Sequence, residues 1–174
     1  MSDVRRIGII VAMLAMAADQ LFKNLLLYEF DFIIMRPFER VEVLPFFDLV
    51  MVWNRGISYG LLQADSVFVT RLLTLFQLSA VVLLTWWLLR ADRKFLGLGL
   101  GLVIGGALGN VIDRIRFGAV ADFFHFHAGN FSFYVFNIAD AAITIGVIAL
   151  LADAFLRPDE KSGNKSSQTS NSGM

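Results

Sequence analysis

The stretch FLGLGLGLVIGGALGNVIDRI, residues 95–115, has the length and composition of a membrane-spanning helix. At about 1.5 Å per residue, about 20 apolar residues cross a hydrocarbon core of roughly 30 Å. Glycines recur in it every four residues and therefore share one helix face: Gly97, Gly101, Gly105 and Gly109. Because faces of small residues let helix backbones approach closely in lipid, the stretch predicts a helix packed tightly against a neighbour.

Three more segments have membrane-spanning length, at 7–27, 67–89 and 134–156. The whole chain of 174 residues is 57% hydrophobic and 17% charged. Soluble domains contain roughly 45–50% apolar and about 25% charged residues, so the composition is that of a membrane protein. We therefore predict four transmembrane helices.

Basic residues cluster at one end of all four predicted spans. They precede the first span, fill the short connection between the second and third, and follow the fourth: Arg5, Arg6, Arg90, Arg93, Lys94, Arg157, Lys161 and Lys165. Since connections rich in Lys and Arg stay in the cytoplasm, we expect both termini to be cytoplasmic. The long connections 28–66 and 116–133 then lie on the outer side of the membrane.

Both long connections contain strand signals. The stretch ERVEVLPFFDLVMVWN, residues 39–54, begins with period-two alternation and is rich in β-branched and aromatic residues,. The second connection predicts short strands or a hairpin near Ala128-Gly129-Asn130,. The predicted fold is a mainly α membrane protein, a four-transmembrane-helix bundle with a small β-sheet cradle on the outer face. We expect a single domain over 1–156 and a disordered cytoplasmic tail over 157–174.

Composition also argues against several kinds of function. The chain has no cysteine, which excludes a thiol nucleophile, a disulfide and a thiolate metal site,. Its formal net charge is zero, so no basic surplus predicts a nucleic-acid partner,. His125 and His127 near Asp122 suggest a metal site only weakly, because a histidine pair two residues apart without further ligands is typical of a loop. We expect neither a metal nor a cofactor.

Aspartates inside apolar spans are the strongest functional signal, since an isolated carboxylate costs several kcal/mol in hydrocarbon. Asp140 has apolar neighbours and no Lys or Arg three or four residues away, and Asp122 likewise has no basic neighbour in sequence. With the predicted orientation, Asp140 lies in the outer half of its helix and Asp122 lies in the connection above it. Asp153 would lie about 20 Å deeper, as a solvated helix-end residue.

Two other aspartates have cations nearby in sequence. Asp19 precedes Lys23 by one helical turn, so a structural ion pair and a direct role in catalysis are equally open,. Asp113 adjoins Arg114. Both aspartates fall in the outer half of the membrane under the predicted topology.

Two carboxylates held close together suit a particular chemistry. Their repulsion raises one pKa, so one group is protonated while the other is ionised. The ionised member can deprotonate a water while the neutral one hydrogen-bonds the carbonyl oxygen under attack, as in aspartic peptide hydrolysis. Paired membrane aspartates also bind cations or relay protons, so a small transporter or channel is the alternative function.

Four blocks of the chain together resemble the motifs of lipoprotein signal peptidase, the bacterial type II signal peptidase. They are AADQLFK (17–23), WNRGISYG (53–60), GGALGNVIDRIRFGAVADFF (105–124) and FNIADAAITIG (136–146), in the order found in the family. The resemblance implies that the aspartates of the VxDF and FNxAD blocks, Asp122 and Asp140, form a catalytic dyad. The preference for Asp122 over Asp113 rests mainly on this likeness.

The same resemblance assigns supporting roles to other residues of these blocks. It implies that nine residues bind substrate or orient the site: Asp19, Lys23, Asn54, Gly56, Asn110, Asp113, Arg114, Asn137 and Ala139. The block that often reads NxGAAFS in the family has bulkier residues here, in Asn54-Arg55-Gly56-Ile57-Ser58-Tyr59-Gly60. We expect this departure to change the edge of the pocket and leave the chemistry intact.

The family resemblance further implies an intramembrane aspartic endopeptidase of the bacterial inner membrane. Its expected substrates are prolipoproteins, cleaved just before a diacylglyceryl-modified cysteine. We expect the active site at the periplasmic face, a monomeric enzyme in contact with membrane lipid, and inhibition by the cyclic peptide globomycin.

Overall fold

The computed structural model describes residues 3–34, 39–56, 67–129 and 131–156. The elements are, in chain order, α1 (Asp3–Asn24), β1 (Arg40–Leu44), β2 (Phe47–Asn54), α2 (Val67–Leu88), α3 (Lys94–Phe117), β3 (Val120–Ala128), β4 (Phe131–Ser132) and α4 (Ile138–Phe155). A π-helical turn, Leu25–Glu29, extends α1, and a 3-10 turn, Phe32–Ile34, follows it. Within these residues four helices are long and apolar enough to cross a membrane. The four-span prediction is confirmed.

Helix α3 is the centre of the bundle and contacts each of the other three helices. Its glycines allow this, because a Cβ at Gly101 would collide with the carbonyl oxygen of Gly8, and one at Gly105 with that of Ala12, both on α1. The predicted glycine face is thus confirmed. A second face, which the spacing did not predict, places Gly106 against the carbonyl of Ala139 on α4.

The basic end of the bundle has its own apolar core and an ion pair. Buried residues of α1, α2, α3 and the α2–α3 connection form one cluster: Ala12, Leu88, Ala91, Leu96, Leu100 and Ile104. Arg93 lies 2.8 Å from Asp153, whose side chain is 9% exposed. The prediction that Asp153 is a solvated helix-end residue is therefore wrong, because its cation comes from the connection preceding α3, 60 residues earlier in the chain.

At the opposite end the strands form an antiparallel sheet in the order β1-β2-β3-β4. The predicted sheet is confirmed, although β3 is a single nine-residue strand. Gly118 ends α3 with φ of 71°, a conformation that glycine adopts without strain, and the chain turns directly into β3,. Register pairs Val52 of β2 with Asp122 of β3. This places Asp122 close to the end of α3 and the start of α4.

Helix α4 begins at Ile138, four residues later than the predicted span. The residues before it are extended, and Phe136 pairs with Phe124 of β3 through backbone hydrogen bonds. Asn137 then caps the helix. The predicted tail, 157–174, lies outside the described residues.

Candidate active site

Asp122 is held on β3 by two asparagine side chains. Its carboxylate is almost fully buried, at 1% exposure. Asn54 of β2 donates from Nδ2 to Asp122 Oδ2 at 3.1 Å, and Asn137 donates from Nδ2 to Asp122 Oδ1 at 2.6 Å. Asn54 is held in turn, because its Oδ1 accepts a hydrogen bond from the backbone N–H of Gly56 at 3.1 Å.

Asp140 lies in the first turn of α4, where Asn137 and Asp140 form a reciprocal capping box,. The backbone N–H of Asp140 donates to Asn137 Oδ1 at 2.9 Å, and the backbone N–H of Asn137 donates to Asp140 Oδ2 at 3.3 Å. Asn110 of α3 donates from Nδ2 to Asp140 Oδ1 at 2.9 Å. Both oxygens of Asp140 are thus oriented by protein donors.

One asparagine therefore connects the two aspartates that the sequence predicts as a dyad. Asn137 donates to Asp122 through its amide nitrogen and accepts from Asp140 through its amide oxygen. The structure brings the two carboxylates together at the end of the bundle that carries the sheet, one from a strand and one from a helix.

Electrostatics distinguish Asp122 from an ordinary surface carboxylate. Burial and, after it, the negative charge of Asp140 raise the pKa of Asp122 from 3.8 to about 7. The hydrogen bonds from Asn54 and Asn137 and the charge of Lys23 lower this pKa but do not offset the burial,. A carboxyl group with this pKa can hold a proton near neutral pH.

An open cavity of about 250 Å³ adjoins the dyad. It is bordered by the first two turns of α4 and the extended residues before them: Phe133, Tyr134, Phe136, Asp140, Ala141, Thr144 and Ile145. Asp140 is the only carboxylate among these described residues, which are otherwise mostly apolar. An apolar group attached to a peptide can therefore lie next to this carboxylate.

Behind the dyad lies a buried ionic cluster formed by Asp19, Lys23 and Asp113. Lys23 Nζ is 2.9 Å from Asp19 Oδ2 and 2.7 Å from Asp113 Oδ2. The predicted pairing of Asp19 with Lys23 is confirmed. Asp113 ion-pairs with Lys23 of α1, although its neighbour in sequence is Arg114.

Two glutamines that the sequence analysis did not select also belong to this region. Gln20 donates to Asp113 Oδ1 at 2.9 Å and to the carbonyl of Gly109 at 3.1 Å. Gln77 of α2 accepts from Arg114 at 2.8 Å and links α2 to α3 at the level of the dyad. The sequence did contain a signal for both glutamines: each has an amide side chain within an apolar span. Burying an amide without a hydrogen-bond partner costs free energy, so a partner was to be expected.

The two histidines are separate from the dyad. They lie on β3, not in a loop, and face Asp48 of β2: His127 Nε2 is 3.1 Å and His125 Nδ1 is 3.8 Å from Asp48 Oδ2. Among the described residues, no group of three His, Asp or Glu side chains is arranged to hold a metal ion.

Comparison with known proteins shows the family of this chain. Residues 11–156 match the family model Peptidase_A8, described as "Signal peptidase (SPase) II". The chain belongs to the signal peptidase II family. The matched range includes every residue of the predicted site and all four membrane helices except the first turns of α1.

Curated relatives in the family cover nearly the same part of the chain. A protein named "Lipoprotein signal peptidase" from Nitrobacter hamburgensis is 51% identical over 156 residues, covering 87% of this chain and 93% of its own length. A protein of the same name from Methylorubrum extorquens is 47% identical over 153 residues, covering 88% of this chain and 87% of its own length.

Solved structures show the same architecture. A structure described as "Bacterial membrane enzyme structure by the in meso method at 2.3 A resolution" superposes with a TM-score of 0.72 at 26% identity, covering 91% of this chain and 93% of that one. A second, of the same description at 1.9 Å, has a TM-score of 0.69 at 27% identity, covering 87% of this chain and 94% of that one. The membrane aspartates are thus interpreted as belonging to a four-span membrane peptidase of the aspartic class. The alternative of a transporter is not favoured.

Proposed function

We propose that this chain removes the signal peptides of prolipoproteins just before a diacylglyceryl-modified cysteine, with Asp122 and Asp140 as the catalytic dyad. The observation that supports the dyad is the shared contact with Asn137, which holds one carboxylate from β3 and one from α4. Membership of the signal peptidase II family supports the substrate class.

In the proposed reaction Asp122 begins neutral and Asp140 begins ionised, in keeping with the raised pKa of Asp122. Asp140 takes a proton from water as the water oxygen bonds to the scissile carbonyl carbon, while Asp122 donates its proton to the carbonyl oxygen. Asp140 then protonates the leaving amide nitrogen, the C–N bond breaks, and Asp122 recovers a proton from the gem-diol. The dyad ends as it began, and activity should fall as pH rises through about 7.

The surrounding residues orient this pair in the proposed site. Asn54, Asn110 and Asn137 hold the dyad oxygens through the hydrogen bonds described above, and Gly56 holds the side chain of Asn54. Arg114, which lies within electrostatic reach of both dyad carboxylates, is the group we assign to a substrate carbonyl. Ile57 and the three residues after it, where the sequence departs from the family, lie outside the described residues.

The location we propose is the periplasmic face of the bacterial inner membrane, with both termini in the cytoplasm. The excess of Lys and Arg at the end of the bundle opposite the dyad supports this orientation,. A diacylglyceryl cysteine would reach the dyad at the outer leaflet.

We further propose that residues 1–156 act as one domain, that the enzyme works as a monomer in contact with lipid, and that globomycin inhibits it.

The test is cleavage of a diacylglyceryl-modified precursor peptide by the purified protein in detergent. We expect Asp122→Asn and Asp140→Asn to lose at least about 1,000-fold in kcat, because each removes one of the two acid–base groups. Asp153→Asn is the matched control, since it neutralises a buried membrane carboxylate far from the dyad. Full activity in either dyad variant would reject the mechanism, and a wild-type protein that leaves the peptide intact would reject the function.

A further inference from the structure

A buried cation lies behind the dyad and touches neither catalytic carboxylate. The Lys23 side chain is 2% exposed between Asp19 and Asp113. Burying three charges costs desolvation energy that an apolar cluster of the same volume would avoid, so stability alone is a weak reason for the arrangement. The other contacts of the Asp19 and Asp113 carboxylates give a better reason.

Each carboxylate also binds the backbone directly before a catalytic aspartate. Asp19 Oδ1 accepts the N–H of Ala139 at 3.0 Å, and Asp140 is the next residue. Asp113 Oδ2 accepts the N–H of Ala121 at 3.1 Å, and Asp122 is the next residue. The same pattern thus occurs twice, once in a helix and once in a strand.

Both backbone donors need such an acceptor. The N–H of Ala139 is in the first turn of α4, where helical N–H groups have no partner within the helix. Ala121 has no solvent exposure, and a buried N–H without an acceptor would cost about 1–3 kcal/mol,. Asp19, from α1, therefore caps α4, and Asp113, from α3, holds the start of β3.

Lys23 also contacts the side chain of Asn110, and this contact fixes the orientation of the Asn110 amide. Its Nζ donates to Asn110 Oδ1 at 3.3 Å, so the Nδ2 of Asn110 faces the opposite way and donates to Asp140 Oδ1 at 2.9 Å. An ammonium group has donors only, and the alternative amide orientation would place two donors together.

We infer that Lys23 is a positioning residue: through Asp19 and Asp113 it holds the backbones of α4 and β3 at the separation that the catalytic pair requires, and through Asn110 it orients Asp140. The inference rests on the proposed roles of Asp122 and Asp140. It adds that their spacing is set from α1, an element that contributes no catalytic group.

Matched substitutions separate this role from general support of the fold. Asp19→Asn and Asp19→Leu both remove the charge at nearly constant volume, but only Asn keeps an oxygen for the N–H of Ala139; Asp113→Asn and Asp113→Leu form the same pair for Ala121. We expect the Leu variants to lose about 100-fold in kcat at little-changed KM, as for a displacement of about 1 Å. The Asn variants should recover at least about tenfold of that loss.

Asp153→Asn and Asp153→Leu provide the control pair. This buried carboxylate also binds a cation, Arg93, but it has no bond to the dyad or its backbone. We expect equal kcat in both control variants. If kcat is as high in the Asp19 and Asp113 Leu variants as in their Asn partners, the inference is wrong.

Lys23→Gln gives a second readout, the pH profile of activity. Replacing a residue that only supports the fold would not shift this profile. Asp122 faces Asp140 from α4, Arg114 from α3 and Lys23 from α1, and the charge of Lys23 lowers the pKa of Asp122. Loss of that charge should move the alkaline fall of activity to higher pH, together with a reduced kcat. An unmoved profile with wild-type kcat would overturn the inference even if a Leu variant did not fold. Cleavage by the wild type and its loss in Asp122→Asn would still uphold the proposed function.

Discussion

At the scale of single residues, Asn137 explains how two acids on different elements can act as one unit. Its amide nitrogen can only donate and its amide oxygen can only accept, so the group fits between the Asp122 carboxylate and the N–H of Asp140 in one orientation,. An aspartate of equal size would place a third negative charge there. The dyad therefore requires the donor and the acceptor of the Asn137 amide, and a side chain of the same volume without them would not replace it.

The raised pKa of Asp122 predicts a stability that depends on pH. A carboxyl group whose pKa rises from 3.8 to about 7 on folding stabilises the native state fully below pH 3.8, and this contribution is lost as pH rises through about 7,. The difference of about three pKa units corresponds to about 4 kcal/mol. Asp122→Asn does not titrate, so its thermal stability relative to the wild type should increase between pH 4 and 8.

Asp140→Asn provides a second measurement of the same effect in thermal unfolding. It removes the charge that contributes to the raised pKa of Asp122 but leaves the burial, which is the larger cause. The dependence on pH should therefore shrink without disappearing. A stability difference between Asp122→Asn and the wild type that stays constant across this range would contradict the assigned pKa.

Local sequence and the family resemblance indicated the pairing of Asp122 with Asp140 more directly than they indicated the contacts around it. Asp122 and Asp140 lack cations within a helical turn, which can be read directly, and the pair Asp19 and Lys23 lies one turn apart. The contact of Asp113 with Lys23 joins residues 90 positions apart, and Gln77 reaches Arg114 from another helix. Such pairings depend on helix packing, which a single sequence does not specify.

At the scale of elements, α3 is in close contact with two helices because each of two faces lacks side chains. A glycine in a helix interior costs about 1 kcal/mol relative to alanine, so these positions would favour alanine in an isolated helix. The contacts explain why alanine is absent: a Cβ at Gly101 would meet a backbone oxygen of α1, and one at Gly106 would meet a backbone oxygen of α4.

Gly101→Ala and Gly106→Ala should therefore both lower the thermal unfolding temperature, despite the gain in helix propensity. Their effects on activity should differ, because Gly106 contacts Ala139, the residue before Asp140, whereas Gly101 contacts Gly8 on the distant part of α1. We expect Gly106→Ala to reduce kcat by about 10- to 100-fold and Gly101→Ala by much less. Equal kcat in two folded variants would contradict this assignment.

The ends of helices and strands could be predicted where the composition of the sequence changes. They were harder to predict where an end depends on backbone hydrogen bonds to a distant segment. The sequence predicted all four helices, but the apolar run from 134 hid the true start of α4 at Ile138. Phe136 pairs with β3 before the helix begins, and Asn137 ends the extended segment. The nine-residue length of β3 likewise depends on pairing with β2, a partner outside its own stretch of sequence.

At the scale of the whole molecule, the sheet and dyad occupy one end of the bundle and the basic connections occupy the other. The chain lacks cysteine, so single cysteines introduced by mutation can report which end faces the periplasm. Glu42→Cys lies on exposed β1, and Asp92→Cys lies in the exposed connection between α2 and α3.

In intact spheroplasts, a membrane-impermeant maleimide should label Glu42→Cys and leave Asp92→Cys unlabelled until the cells are lysed. The expectation follows from the retention of Lys- and Arg-rich connections in the cytoplasm. The unmodified cysteine-free protein is the control for background. The opposite labelling pattern would place the dyad at the cytoplasmic face and contradict the proposed orientation.

The apolar cluster around Leu88, Leu100 and Ile104 has a consequence for the energy metabolism of the cell. It lies at the basic end of the bundle with the Arg93–Asp153 pair, and Asp153 is about 20 Å from Asp140 along α4,. Between these two levels, the described helices contain no Asp, Glu, Lys, Arg or His over residues 7–18, 72–88, 95–112 and 141–152, and so offer no relay of these groups. In the orientation proposed above, the water used for hydrolysis comes from the periplasmic side, and proton transfer at the dyad does not short-circuit the proton gradient of the membrane in which the enzyme is embedded.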